Sequence, residues 1–202
     1  MAAPPLDPSH RVIGIIFGPP GSGKGTQAAR IEAEFHLAHV STGQILRAEA
    51  SRRTAVAREA ARVMAAGDLV PDELIIDIVE RRLRRPDVRS GVFLDGFPRT
   101  VAQAKALDAM LAKDGRQVDF VLALDVPERV LVKRLVNRAS EQGRADDTRK
   151  AIAERMHEYR TLTASVLDYY RRGGVRLVEI AGVGEVEIVF RRIRKAMAAS
   201  SA

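Results

Sequence analysis

A short glycine-rich stretch, Gly18-Pro19-Pro20-Gly21-Ser22-Gly23-Lys24-Gly25-Thr26, constrains the fold of this chain more than any other feature. An apolar run precedes it and a helical pattern follows it, so the stretch is predicted to connect a buried strand to a helix. Glycines let backbone N–H groups converge on an anion, and a helix N-terminus adds partial positive charge. The sequence therefore predicts a phosphate-binding loop, in which Lys24 would contact the β- and γ-phosphates of a nucleoside triphosphate.

The end of this loop departs from the general motif for triphosphate binding. That motif places Ser or Thr directly after the lysine, whereas here Gly25 occupies the position and Thr26 comes one residue later. A hydroxyl at this point of the loop lies near the metal ion that accompanies the phosphates. We expect Thr26, with Ser22 as the weaker alternative, to offer that hydroxyl.

Apolar runs alternate with helical patterns along the whole chain. Five runs are predicted as strands: Val12–Phe17, Leu37–Ser41, Val92–Asp95, Phe120–Asp125 and Val175–Ile180. Continuous β-branched and aliphatic runs without polar alternation are typical of strands that are buried on both faces of a parallel sheet. We therefore expect an α/β fold of three layers, with a five-stranded parallel sheet flanked by helices and with ligand sites along one sheet edge.

Changes in composition divide the predicted core (11–40, 71–138 and 150–202) from smaller pieces. The proline-rich residues 1–10 predict a flexible tail. Residues 41–70 have only a thin apolar helical face and predict a small subdomain. Residues 139–149 are polar and contain glycine, which predicts a hinged flap; the preceding helix is expected to run from Pro127 to about Arg138.

The charge and the absence of cysteine exclude several function classes. The net charge is +7, but arginine outnumbers lysine 27 to 6 and only nine aromatic residues are present, none interleaved with the basic ones. Stacking platforms for nucleic acid need such aromatics, so we expect no nucleic-acid partner. Without cysteine there is no thiolate metal site or cysteine nucleophile. The sequence shows neither a signal peptide nor an apolar run long enough for a membrane, which predicts a cytoplasmic protein.

Charged residues near the predicted strand ends are the candidates for chemistry. Asp95 ends a buried strand, where it would hold Mg²⁺ through water or, in the simpler interpretation, cap the turn before Gly96. Six arginines form a second set, which closure of the flap could bring around transferring phosphates: Arg47, Arg99, Arg134, Arg138, Arg144 and Arg155. By spacing alone, a solvated surface position is the better interpretation of each of them.

Two helix starts carry the pattern of a capping box. Ser41-x-x-Gln44 and Thr100-x-x-Gln103 both place a hydroxyl three residues before a glutamine, which is typical of a helix N-terminus. The pattern alone favours a capping role for Gln103. The four histidines have no recognisable spacing from a serine or a carboxylate, so a nucleophilic triad has no support.

Taken together, these motifs resemble the nucleoside monophosphate kinases, and among them the adenylate kinases of the short-lid form. Gly18 to Gln27 resembles their phosphate loop, including the Gly25-Thr26 order. Ser41-Thr42-Gly43-x-x-Leu46-Arg47 resembles their monophosphate-binding motif, and Asp95 to Thr100 resembles their Asp-Gly-Phe-Pro-Arg-Thr motif. Gly143-Arg144-x-Asp146-Asp147 resembles their lid. The matches extend in order from about Val12 to Ile193.

This resemblance implies a reaction, ATP plus AMP giving two ADP with Mg²⁺, catalysed by a monomer with no membrane partner. It places the predicted subdomain 41–70 at AMP and the flap 139–149 as the lid. For ATP it implies Gly21, Ser22, Gly23, Lys24, Gly25, Thr26, Arg134, Arg138 and Gly182. For AMP it implies Thr42, Gly43, Arg47, Val70, Gly96, Arg99, Gln103, Arg144 and Arg155. Catalysis is assigned to Lys24, Arg99, Arg134, Arg144 and Arg155. Gln103 thereby becomes a candidate reader of adenine as well as a cap.

Two departures and two alternatives qualify the resemblance. Gln44 stands where the family usually has Asp, and the short segment between Arg138 and Arg144 has no cysteines for the zinc site of long-lid relatives, so we expect no zinc. A UMP/CMP kinase would be expected to have Ala at position 42 and Asn at positions 100 and 103. A nonenzymatic nucleotide-binding protein, or a basic RNA-associated factor, is the alternative from another class.

Overall fold

The computed structural model describes residues 11–50, 62–63, 70–142 and 148–198, with side chains described throughout except at 49–50 and 138–142. Its strands are β1 (Val12–Phe17), β2 (Ala38–Ser41), β3 (Gly91–Asp95), β4 (Phe120–Asp125) and β5 (Arg176–Ala181). They pair in parallel in the order β2-β3-β1-β4-β5. The predicted five-stranded parallel sheet is confirmed, and the predicted strand ends differ from the observed ones by no more than one residue.

Helices follow the strands along the chain. The described helices are α1 (Lys24–Phe35), α2 (Thr42–Ala50), α3 (Asp72–Leu83), α4 (Val101–Ala112), α5 (Glu128–Gln142), α6 (Arg149–Glu158), α7 (Ala164–Arg172) and α8 (Val186–Ala198). None of these described helices is long and apolar enough to cross a membrane.

Two helices differ from the sequence-based prediction. Helix α5 continues one turn beyond Arg138, because the residues up to Gln142 contain neither glycine nor proline to end it. The apolar spacing of Ile152, Met156, Tyr159 and Leu162 predicts one long helix to Gly173, but the π-helical segment Tyr159–Thr163 lies between α6 and α7. Such π segments occur often at functional sites.

Hydrophobic side chains on both faces of the sheet form two separate clusters. Strand β1 shows the division, because Ile13 and Ile15 point into one cluster and Ile16 into the other. Helices α3, α4 and α7 cover the first face, and α1 and α8 cover the second. Burying an aliphatic side chain of this size contributes roughly 1.5–3 kcal/mol, so these two clusters hold the three layers together. The predicted α/β fold is therefore confirmed.

A third, smaller hydrophobic cluster holds α5 against α6. It contains Val126, Leu131 and Met156, with Val130 packed beside them. The two helices carry the candidate arginines Arg134 and Arg155. Fewer buried side chains hold these helices in place than hold the strands of the sheet.

Several predicted pieces lie outside the described residues. These are the tail 1–10, most of the predicted subdomain (51–61 and 64–69) and the centre of the predicted flap (143–147), which includes Arg144. The domain boundaries therefore stay predictions.

Candidate active site

The phosphate-binding loop lies at the carboxyl end of β1, between the strand and the first residue of α1. Gly18, Gly21 and Gly23 have φ values of 154°, 82° and 94°, which side-chain-bearing residues rarely adopt. Lys24 extends back across the loop, and its Nζ donates hydrogen bonds to the carbonyl oxygens of Gly18 at 2.7 Å and Pro19 at 3.1 Å. The lysine charge is therefore held over the loop that the sequence predicts for phosphate.

Asp95 ends β3 next to this loop, and its carboxylate is buried. The Nε2 atom of His39 lies 3.4 Å from Asp95 Oδ2. Burial by itself raises the pKa of Asp95, but the hydrogen bond to His39 and the charges of Lys24 and Arg99 outweigh it and hold this pKa below its ordinary value. The carboxylate is therefore ionised at neutral pH, as a ligand of a cation must be.

The surroundings of Asp95 fit a hydrated magnesium ion. A Cβ atom placed at Gly25 would lie 3.5 Å from Asp95 Oδ2, so the glycine leaves open the space that a serine or threonine would fill. Thr26 is exposed, whereas Ser22 is buried and its Oγ has no hydrogen-bond partner among the described residues. The same residues contain no group of three or more His, Cys, Asp or Glu side chains for a metal. Mg²⁺ is commonly held by one or two carboxylates, water and substrate phosphates, which this arrangement allows.

The turn after β3 packs Thr42, Gly96 and Arg99 together. The Thr42 hydroxyl and the Arg99 Nε both donate to the Gly96 carbonyl oxygen, each at 2.9 Å. Gly96 has a φ of 80°, and a Cβ there would lie 2.9 Å from Thr42 Oγ1 and 3.2 Å from Arg99 Nη2. Only glycine fits, so this residue sets how closely Thr42 and Arg99 approach the strand end.

The guanidinium of Arg99 lies in a crowded, positively charged setting. Burial and the neighbouring Arg155 and Arg47 lower its pKa from the ordinary value, and Asp95 and Glu158 partly oppose that shift. Several cations held near one another without an equal number of carboxylates form a site for a multiply charged anion.

A single cleft of about 740 Å³ joins most of the predicted site residues, a volume within the range of small-molecule sites. Its walls include Gly21, Ser22, Gly23, Lys24, Gly25, Thr26, Gly43, Arg47, Asp95, Gly96, Arg99, Arg134, Arg155 and Gly182. At one end, Arg134 bridges the loop and the Gly182 turn, because its Nη atoms donate to the carbonyl oxygens of Ser22 at 3.4 Å and Gly182 at 3.1 Å. The structure thus brings the loop and four of the six candidate arginines together.

The other predicted residues are placed differently. Thr42, Val70 and Gln103 are buried to 1%, 7% and 2% exposure and do not line this cleft. Arg138 lies in α5, but its side chain is not described, and Arg144 lies outside the described residues.

Comparison with known proteins identifies the family. The sequence model of the family described as adenylate kinase matches residues 16–175. An adenylate kinase from Stenotrophomonas maltophilia strain K279a is 48% identical over 185 residues, which cover 92% of this chain and 98% of that protein. The chain belongs to the adenylate kinase family. Adenylate kinases from S. maltophilia strain R551-3 and Xanthomonas campestris pv. campestris strain B100 are 46% and 45% identical, each over 183 residues that cover 91% of this chain and 97% of the relative.

Membership of the adenylate kinase family confirms the predicted resemblance and the predicted class of enzyme, a nucleoside monophosphate kinase that transfers a phosphoryl group.

Several residues at this adenylate kinase site were not predicted from the sequence. A small second cavity of about 70 Å³ lies between Lys24, Arg99 and Arg155 and is also lined by Glu158, Tyr159 and Thr163. Arg155, Tyr159 and Thr163 are spaced by four residues, a periodicity that could have indicated a shared helix face. Burial and the charge of Asp125 raise the pKa of Tyr159, so its hydroxyl is neutral in this cavity.

His39 and Asp72 were missed for another reason. His39 contacts Asp95, and Asp72 contacts Gln103, across 56 and 31 residues of sequence respectively. No local pattern signals contacts of this range.

Proposed function

We propose that this chain catalyses the reversible, Mg²⁺-dependent transfer of a phosphoryl group, ATP plus AMP giving two ADP, and so maintains the balance of adenine nucleotides. The observation that carries this proposal is the cleft in which the phosphate-binding loop and Lys24 face Arg47, Arg99 and Arg155. The loop would bind the phosphates of one nucleotide, and the arginines opposite it would bind those of a second. This arrangement suits a reaction that transfers a phosphoryl group between two nucleotides. Its substrates would be met in the cytoplasm, where we expect the chain to act as a monomer.

The roles proposed for individual residues rest on the family resemblance, and for those that line the cleft also on their positions in it. On the donor side, Gly21 to Thr26, Arg134, Arg138 and Gly182 would bind ATP. On the acceptor side, Thr42, Gly43, Arg47, Val70, Gly96 and Gln103 would bind AMP. Lys24, Arg99, Arg134, Arg144 and Arg155 would surround the transferring group, with Arg99, Arg144 and Arg155 also contacting AMP.

Phosphoryl transfer requires positioning and charge stabilisation more than covalent chemistry from the protein. Lys24 supplies one positive charge from the loop, and Arg99 and Arg155 supply two more from the facing walls. Guanidinium groups match phosphate oxygens in planar pairs of hydrogen bonds, so they can orient both phosphate chains as well as neutralise them. No general base is needed in this proposal.

Magnesium would enter this site with ATP. Asp95, through water, and Thr26 are the residues that would hold it beside Gly25. When bound, the ion would supply positive charge that offsets the negative charge of the ATP phosphates. The depressed pKa of Asp95 supports this role, because the carboxylate stays charged at neutral pH.

We further propose that residues 41–70 and 139–149 are two moving pieces that close over the substrates. Closure would exclude water and deliver Arg144 to the cleft only when both nucleotides are present, which disfavours hydrolysis of ATP. We expect amide hydrogen exchange in both segments to be faster than in β1 and β3, and to slow when both nucleotides are added. Exchange as slow as in the strands, without a response to nucleotides, would contradict this motion.

The function is tested by presenting MgATP with AMP, UMP, CMP or GMP in a coupled assay of ADP formation. We expect turnover with AMP to exceed turnover with each of the others by at least about tenfold, because a base reader that forms hydrogen bonds rejects bases with the wrong pattern. A clear preference for UMP would contradict only the assignment of AMP as the acceptor and would leave the kinase activity in place. No transfer to any monophosphate would favour the nonenzymatic alternative.

One arrangement weighs against the UMP/CMP alternative. Thr100 and Gln103 both donate hydrogen bonds to Asp72, so the side chains expected to be asparagines in a UMP/CMP kinase are committed here to a different polar network.

A further inference from the structure

A network of polar groups from four residues lies where the N-termini of α3 and α4 meet. The carboxylate of Asp72 accepts from the Thr100 hydroxyl at 2.7 Å and from Gln103 Nε2 at 2.6 Å. The Thr100 hydroxyl in turn accepts from the backbone N–H of Gln103 at 3.1 Å, and Gln103 Oε1 accepts from the backbone N–H of Arg99 at 2.7 Å. The capping box is thus altered: Thr100 caps the helix as predicted, but the glutamine reaches the residue before the cap.

This network fixes the orientation of the Gln103 amide. A carboxylate only accepts hydrogen bonds, so the amide NH₂ must face Asp72. A backbone N–H only donates, so the amide oxygen must face Arg99. Rotating the amide by half a turn would place two acceptors together at one end and two donors at the other, and both buried pairs would be lost. Asp72 and the Arg99 N–H together therefore determine which end of Gln103 is a donor.

After these two bonds, the amide retains one N–H and one oxygen lone pair. A primary amide has two N–H donors and an oxygen that can accept twice, and each end has used one. The edge of adenine that carries its amino group offers one donor beside one acceptor, which a correctly oriented glutamine amide can read with two bonds. The remaining capacity of Gln103 therefore matches adenine.

We propose that Asp72 is a positioning residue for base selection: it locks the Gln103 amide in the orientation that accepts AMP. This inference rests on the proposed function. In a 6-oxopurine such as hypoxanthine, O6 is an acceptor and N1 carries a hydrogen, the reverse of the amino donor and N1 acceptor of adenine, so the locked amide would face two mismatched atoms and reject the base. A freely rotating amide would lose much of that discrimination.

Access to the amide requires the groups that cover it to move. Gln103 is only 2% exposed, so a base can reach it only after nearby groups move. Asp72 begins α3 two residues after the proposed moving segment 41–70, while its hydrogen-bond partners belong to α4 and its cap. The carboxylate thus holds the amide in place from the core side, independently of the moving piece.

A purely structural role for Asp72 makes a different prediction. An acidic residue in the first turn of a helix stabilises it by about 0.3–1 kcal/mol through the helix dipole. Its removal would then lower stability and leave the preference among bases unchanged. Selectivity, rather than activity alone, separates the two roles.

The test compares the variant Asp72→Asn with Asp77→Asn, which removes an exposed carboxylate from the same helix, where Asp77 pairs with Arg81 at 2.6 Å. The probes are AMP and IMP at saturating MgATP. An asparagine at position 72 offers a donor as well as an acceptor, so only the Arg99 N–H still favours one orientation of Gln103. We expect the ratio of kcat/KM for AMP to that for IMP to fall about tenfold, mainly through KM for the monophosphate, with KM for ATP unchanged. Asp77→Asn should leave the AMP-to-IMP ratio of kcat/KM, the KM for the monophosphate and the KM for ATP at wild-type values.

Two further measurements keep the test decisive. Asp72→Ser is the second variant if Asp72→Asn does not fold, because serine is well accepted at a helix N-terminus. The side-chain NH₂ signals of Gln103 in ¹⁵N NMR, assigned through Gln103→Glu, should shift in the Asp72 variant and not in Asp77→Asn. An unchanged AMP-to-IMP ratio in a variant whose wild-type parent phosphorylates AMP would overturn this inference alone. A wild-type chain without activity on AMP would overturn the proposed function and this inference with it.

Discussion

The variant Lys24→Met is expected to lose roughly 10²- to 10³-fold in kcat, the loss typical of removing one preorganised group that stabilises transition-state charge. Methionine keeps the length of the side chain but cannot carry charge or donate the hydrogen bonds to Gly18 and Pro19. In the proposed reaction these donors are the ones that turn toward the β- and γ-phosphates. The measurement is steady-state kinetics with MgATP and AMP, alongside the dissociation constant of ATP.

The control for this loss is Lys105→Met, which removes an exposed lysine from α4 outside the cleft. It should retain wild-type kinetics and unfold at the same temperature as the parent. If Lys24→Met turned over at nearly the wild-type rate while remaining folded, Lys24 would have no place in the mechanism.

Much of the fold could be predicted because its signals are local. The run Val12–Phe17 is apolar at every position but Gly14 and is buried throughout, so the strand and its two-sided burial follow from composition alone. Helix ends are less predictable. Nothing in the sequence stops α5 at Arg138, and the π segment Tyr159–Thr163 has no distinctive residues, since it depends on how its neighbours pack.

The candidate site divides in the same way. The phosphate-binding loop and Asp95 were predictable because parallel strands end at one sheet edge, which gathers whatever follows them. The role of Gln103 could not be predicted, because the sequence allowed this residue to be either a helix cap or a reader of the base. Its amide is fixed by Asp72 and by a backbone N–H, and the first of these contacts spans 31 residues. Only the folded chain brings these groups together.

The second large effect is expected for Arg99→Lys, with a loss of about 10²-fold in kcat/KM for AMP at neutral pH. An ammonium keeps a positive charge but cannot form the planar pair of bonds to phosphate, and it loses the Nε bond to the Gly96 carbonyl. Arg116→Lys is the matched control, because the Arg116 side chain is only 16% exposed, pairs with Asp114 and lies away from the cleft. It should leave the kinetics unchanged.

The pH dependence of this variant provides a sharper test than its rate. Burial and Arg155 lower the pKa of Arg99, yet a guanidinium begins so high that it stays charged. The same surroundings act on the ammonium of the variant, whose ordinary pKa is lower, and they lower it further. The cationic form binds phosphate and exists below that pKa, so activity should be retained at lower pH and lost as the pH rises through it. We therefore expect kcat/KM for AMP to fall above neutral pH in Arg99→Lys while the wild-type and Arg116→Lys profiles stay level over the same range. Parallel profiles in all three would show that the charge at position 99 does not act on the substrate.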